Sequence, residues 1–136
     1  MARIVLTNAY VTINSVDLSD HISSVTLNSS IDVVETTAFS TTAARTRVGG
    51  LADNSITLEF HQDYASSSVE ATIYPLLGST TSVVVKPNGS TTSATNPSYT
   101  STVLVSEWTP LNGAVGELAT ASVTWPVSGA ITKATA

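Results

Sequence analysis

The residue types that could do chemistry are few and scattered. His21 follows Asp20, and His61 stands just ahead of Asp63. Imidazole and carboxylate are both zinc ligands. Each histidine is alone in its segment, however, without the spacing of a metal motif around it; both read as surface or structural groups. Serine and threonine are abundant enough for a Ser-His-Asp triad to be drawn on paper, but there is no G-x-S-x-G elbow and no marked oxyanion loop. Glu59 and Glu117 could be imagined as a glycosidase pair, a role that needs aromatic sugar platforms and a fixed carboxyl separation. Aromatic residues make up only 6% of the chain, and Phe60 and Trp125 fall on apolar strand faces, where they read as core. The absence of cysteine excludes a thiol nucleophile, a thiolate metal site and a disulfide framework. Asn28-Ser29-Ser30 and Asn88-Gly89-Ser90 match the N-glycosylation pattern, which chance supplies in a chain this rich in Asn, Ser and Thr. No catalytic residue, metal ligand or cofactor is expected.

The charge balance says more. Five Lys and Arg stand against ten Asp and Glu, a net charge of −5 over 136 residues. Only 11% of residues are charged, where about 25% is usual; Ser and Thr take their place. Such short side chains lose little rotamer entropy when covered, so a surface built from them is easily buried between subunits. Phosphate binding needs clustered Lys and Arg, which are missing. An acidic wall would instead let DNA pass without sticking. Arg45 and Arg47 sit together in a long polar insert, residues 37–52. They could bind phosphate, be merely solvated, or pair with carboxylates of an adjacent subunit; the acidity of the rest favours the last. The N-terminal residues show no signal-peptide core, and no apolar run approaches a membrane span, so use without Sec-type export is expected.

The elements that must position these groups are strands. Val25, Leu27, Ile31 and Val33 alternate with polar residues, and after the insert Ile56, Leu58 and Phe60 do so again. This is the period of a sheet with one buried and one wet face. The core is expected to hold those residues with Val103, Val105 and Val123. The wet face would carry Ser24, Thr26, Asn28, Asp32, Thr57, Glu59 and His61, with no Lys or Arg. Residues 22–36 would be one very long strand, bulged near Ser29-Ser30, and 54–62 its return, with Gly49-Gly50 a turn before it. Further strands are expected over 9–13, 82–86, 99–108 and 115–127. A helix over 66–77 would be capped by Ser67 with Glu70, stopped by Pro75 and closed by Gly78. Residues 90–97 read as a mobile loop, and 128–136 as a tail that is frayed or docked on a neighbour. The sum is one all-β domain, 1–136: a β-sandwich or barrel with one flanking α-helix and a long projecting hairpin loop. The scarcity of lysine leaves its sheet edges open for strand addition between subunits.

Several segments, taken in order, resemble major tail tube proteins of long-tailed bacteriophages, those of phages infecting actinobacteria in particular. They are V-D-L-S-D-H-I-S-S-V-T-L (16–27), V-V-E-T-T-A-F (33–39), R-T-R-V-G-G-L (45–51), S-I-T-L-E-F-H-Q-D-Y (55–64), V-E-A-T-I-Y-P-L-L-G (69–78) and A-V-G-E-L-A-T-A-S-V-T-W-P (114–126). The resemblance implies six copies in a ring, rings stacked into a hollow tube, and strands of every copy joined in an inner barrel around the DNA channel. The long loop would reach the next ring, through Thr37, Phe39, Thr41, Arg45, Arg47 and Val48. The partners implied are further copies of the chain, a tape-measure protein, a tail-tip complex and a tail terminator, with DNA passing unbound and no membrane. The location implied is the virion tail, after assembly in the host cytoplasm. The alternative is a surface or capsid-decorating β-sandwich binding carbohydrate or protein, with exposed aromatics around Tyr64, Tyr74, Tyr99 or Trp108.

Overall fold

The computed structural model describes residues 3–136; Met1 and Ala2, counted in the domain expected above, lie outside the described residues. The strands are β1 (Tyr10–Ile13), β2 (Val16–Asp17), β3 (Ile22–Glu35), β4 (Arg47–His61), β5 (Thr80–Lys86), β6 (Ser98–Leu104), β7 (Thr120–Pro126) and β8 (Thr132–Ala134), with one helix, α1 (Val69–Ile73), between β4 and β5. They form a five-stranded sheet in the order β2-β1-β5-β6-β8 and a three-stranded sheet in the order β3-β4-β7, every pairing antiparallel. The all-β class expected from the alternation is the class observed, and of the sandwich and barrel alternatives it takes the form of two sheets.

Side chains alternate across each strand, so each sheet turns one row inward. Ile56, Leu58 and Phe60 of β4 and Ala121, Val123 and Trp125 of β7 are buried against Val11, Ile13, Val83, Val85 and Val103 of the other sheet. Phe60 meets Trp108 edge-on, with ring centroids 5.3 Å apart, and lies 6.2 Å from Trp125. Both indoles keep their polar handle satisfied: Trp108 Nε1 donates to Glu70 Oε1 at 2.8 Å, and Trp125 Nε1 to the Glu107 carbonyl at 2.9 Å.

Several elements differ from the sequence expectation. The helix is shorter, continuing only as a 3-10 turn over Tyr74–Leu76, where Pro75 removes a donor. Its buried stripe is Val69 and Ile73. Ser67 is not its cap. Ser68 holds the N-cap position, and Asp63 ties the preceding turn, accepting from the Ala65 N–H at 2.9 Å and the Ser68 hydroxyl at 2.8 Å. Glu70 is spent on Trp108 and Gln62, not on a capping box. Gly78 does close the segment, at φ +87°. Residues 90–97 are organised, not loose: buried Asn96 donates to the carbonyls of Asn88, Ser90 and Thr91 and accepts from the Asn88 N–H. The C-terminal tail docks on its own chain, as β8 against β6. Residues 115–119 are loop, and the strand expected over 115–127 is β7, which starts at Thr120.

The long hairpin departs most. Ser29 and Ser30 pair regularly with Asn54 and Asp53; the irregularities fall between Ile22 and Ser24 and between Ile31 and Val33. At the second, Gly50 and Leu51 of β4 together face Asp32, which is a β-bulge. Gly49-Gly50 is therefore not a turn but the middle of a strand. A Cβ on Gly50 would stand 2.9 Å from Val34 Cγ2 and 3.4 Å from Asp32 Cβ, so glycine is needed for the close approach. The strand thus begins at Arg47, inside the segment 37–52 expected to be loop. Ile31 and Val33 are not core but 53% and 70% exposed. The reason is register: β7 covers β4 only from Ser55 to His61, and after Pro126 the chain leaves for β6 through a Val103–Val127 bridge. Beyond that point β3 and β4 run on as a two-stranded arm, roughly 20 Å long at about 3.3 Å per residue. Val25 and Leu27, nearer the body, are half-buried against the core.

Candidate assembly surfaces

The register brings the predicted polar residues onto one face. Across β3, β4 and β7 the rows run Ser24-Glu59-Ser122, Thr26-Thr57-Thr124 and Asn28-Ser55-Pro126, with His61 opposite Thr120. Thr57 and Thr124 hydroxyls meet at 3.1 Å. Asp32 lies further along the same side, at the bulge. Ser24, Thr26, Asn28, Asp32 and Glu59 are exposed, while Thr57 and His61 are half-buried. No Lys or Arg occupies these rows. The face can accept and donate hydrogen bonds but offers a phosphate no cation.

The margins of this sheet are unlike each other. In an antiparallel ladder only alternate residues bond a given neighbour. The Thr36 N–H donates to the Thr46 carbonyl at 2.9 Å, so even-numbered residues of β3 bond β4. The N–H and C=O groups of Val25, Leu27, Ser29, Ile31, Val33 and Glu35 then point off the sheet. Among the described residues no strand, loop or side chain bonds that row. It is a long edge without proline or lysine, the kind that pairs with another chain.

The β7 margin is partly capped by the chain itself, where the scarcity of lysine led to the expectation of open edges. The outward groups there belong to even-numbered residues, because the Gln62 N–H bonds the Ala119 carbonyl and the Val127 N–H that of Asn54. Thr120 N–H donates to the Asn112 carbonyl at 3.2 Å, Thr124 N–H donates to Glu107 Oε1 at 2.8 Å, and Pro126 has no N–H. Residues 106–119 therefore act as a partial internal cap, which leaves the Ser122 N–H without a partner among the described residues. Glu107 carries no sequence signal for this role. The adjacent Pro110 and Asn112-Gly113 mark a turn, but not what it covers.

The expected inter-ring residues lie at and near the arm's end. Phe39 is fully exposed, and Thr41 sits in the tip turn. Thr37 Oγ1 accepts from the Thr46 N–H at 3.0 Å and so staples the tip. Arg45 Nη1 bonds its own chain's Glu35 at 2.8 Å, both side chains remaining open to solvent. Arg47 and Val48 belong to β4, opposite Glu35 and Val34. With Ile31, Val33, Val34 and Leu51, the arm exposes apolar side chains on both faces.

The histidine-carboxylate groups rearrange. Asp63 meets His21, not His61: His21 Nε2 is 2.8 Å from Asp63 Oδ2, and its Nδ1 is 2.8 Å from Asp20. The Ala65 N–H, the Ser68 hydroxyl and His21 together hold the Asp63 carboxyl below its ordinary 3.8. This staple ties the 3-10 turn at Ser19–His21 to the start of the helical segment. No group of three or more metal-ligating side chains forms among the described residues. Trp108 is buried, so it joins no exposed aromatic patch with Tyr64 and Tyr74. No described helix is long and apolar enough to cross a membrane.

No protein-family model and no curated protein matches the sequence. Solved structures do. A chain from the virion of a native gene transfer agent particle superposes with a TM-score of 0.73 at 12% identity, over 93% of this chain and 95% of that one. A chain from the tail of an empty gene transfer agent particle, refined with C6 symmetry, gives 0.61 at 15% identity, covering 82% and 81%. A chain from the six-fold symmetrised baseplate of the anti-feeding prophage gives 0.61 at 10% identity, covering 99% and 98%. At such identities the likeness is one of fold: the same two-sheet architecture recurs, over four fifths or more of each chain, in chains from a virion, a tail and a baseplate.

Proposed function

We propose that this chain is a structural, non-catalytic subunit of a bacteriophage-type tail tube. Six copies form a ring, the rings stack, and the β3-β4-β7 sheets stand margin to margin around a bore. Ser24, Thr26, Asn28, Asp32, Thr57, Glu59 and His61 line that bore. The arm, with Thr37, Phe39, Thr41, Arg45, Arg47 and Val48 at and near its tip, reaches the adjacent ring. DNA moves through without exchanging counterions for protein cations, because none faces it. The subunit works in the virion tail, beside the tape-measure, tip and terminator proteins implied by the sequence resemblance.

The observation that carries this reading is the unpartnered β3 margin on a sheet whose outer face is polar and free of cations. A lone soluble domain protects such an edge; a subunit of a closed barrel leaves it for its neighbour. The six-fold symmetry named for the related tail and baseplate chains supports the copy number. Electron microscopy of the concentrated protein tests the proposal. Rings or tubes with a hole of about duplex width are expected. Persistent monomers at every concentration, or a bore lined by the opposite sheet, would overturn it.

A further inference from the structure

The two margins of the three-stranded sheet present matching surfaces. Beside the β3 edge lies an open groove of ≈ 540 Å³ whose lining includes Val25, Leu27, Tyr99, Ile131, Lys86 and Lys133. Its wall is largely apolar and its free charge is positive. Lys86 Nζ is already engaged, 2.9 Å from the Ser90 carbonyl and 4.5 Å from the Tyr10 ring centroid. Lys133 makes no ion pair among the described residues. At the opposite margin, the cap over β7 turns its own apolar residues outward: Leu111 is 80% exposed, Val115 104% and Leu118 62%. Between them Glu117 has no side-chain partner among the described residues. Glu107 and the carbonyls of Pro110 and Asn112 hold the segment in place on the body.

We propose that residues 106–119 of one copy seat in the β3 groove of the next, with Leu111, Val115 and Leu118 against the apolar wall and Glu117 paired with Lys133. This rests on the tube-subunit reading and names the contact that closes the ring. The occupant is a second copy because the chain itself carries the complement of the groove, apolar with one free acid against apolar with one free base. The placement fits as well. A patch and its complement on opposite margins make a head-to-tail contact, the type that generates rings; a patch meeting itself would make only a two-fold dimer. The contact also covers the body end of the open row, from Val25 to Ser29, without the β7 cap having to leave its own sheet.

The chain has no cysteine, so an introduced pair reports cleanly. Val115→Cys and Leu118→Cys, each combined with Ile131→Cys, are oxidised at high concentration and run without reductant. A covalent ladder ending at one closed species is expected, with the single-cysteine variants giving no such ladder. Glu117→Lys in the same background is expected to cut cross-linking roughly three- to tenfold, and Lys133→Glu added to it to restore most of the yield. The untouched chain is imaged in parallel. Tubes without a ladder overturn the seam and leave the tube reading standing. A ladder without tubes confirms the seam and overturns stacking. Neither ladder nor particle overturns both.

Discussion

Replacing Ile31 and Val33 with lysine separates folding from assembly. In the free chain these side chains are 53% and 70% exposed, on an arm that no other element covers. Substitution at such sites changes stability by up to about 0.5 kcal/mol each. Fully burying a Val or Ile is worth about 1.5–3 kcal/mol. The portion still open to a neighbour is then roughly 1–2 kcal/mol per residue, or roughly 2–4 kcal/mol for both. At 1.4 kcal/mol per factor of ten, the concentration needed for tubes should rise by roughly thirty- to a thousandfold. Desolvating the ammonium groups makes this a lower bound. Urea unfolding of the dilute protein measures the first quantity, and sedimentation with microscopy across a concentration series the second. Tubes at the wild-type concentration would refute the role of the arm. A loss of more than about 2 kcal/mol in the monomer would show that the residues pack within their own chain.

Gly50→Ala should cost about 1–3 kcal/mol, since the new methyl falls 2.9 Å from Val34 Cγ2, and Val34→Ala should relieve most of it in a double-mutant cycle by denaturant unfolding. Glu107→Leu leaves the Thr124 N–H without its 2.8 Å acceptor; a loss of about 1–2 kcal/mol is expected, together with disordered aggregates by light scattering, because adjacent outward N–H groups of β7, at Ser122 and Thr124, are then both open. The folded protein holds Asp63 below its ordinary 3.8, so its stabilisation is complete above that value and lost as pH falls through the lower one; Asp63→Asn should flatten the acid end of the stability profile there. Phe60→Ala, at a site with no exposure, should destabilise by about 3–5 kcal/mol in thermal or urea unfolding.

What the sequence disclosed follows from which physics is local. Alternation is a property of neighbouring residues, so the two-faced strands, the polar face and the Ile56-Leu58-Phe60 core row could be read directly. Burial depends on what lies opposite. Ile31 and Val33 continue the alternation of Val25 and Leu27, but β7 stops at Pro126 and nothing faces them. Gly49-Gly50 has the composition of a turn, and only the pairing across to Ile31 and Val33 shows a bulge. The partner of Asp63 proved to be His21, forty-odd residues away, because pairing across the fold overrides adjacency. Glu107 as the guard of an edge rests on a contact 17 residues apart, which no spacing rule announces.

The bulge has a geometric consequence for any particle this chain builds. Below it, strand register fixes the sheet to the body; above it, the extra residue of β4 resets the twist and direction of the arm. Aim is thereby uncoupled from anchorage. In the proposed tube, altering the Gly50 neighbourhood would change the rise and rotation from one layer of subunits to the next, so the flexural character of the whole filament would be set at a site with no side chain.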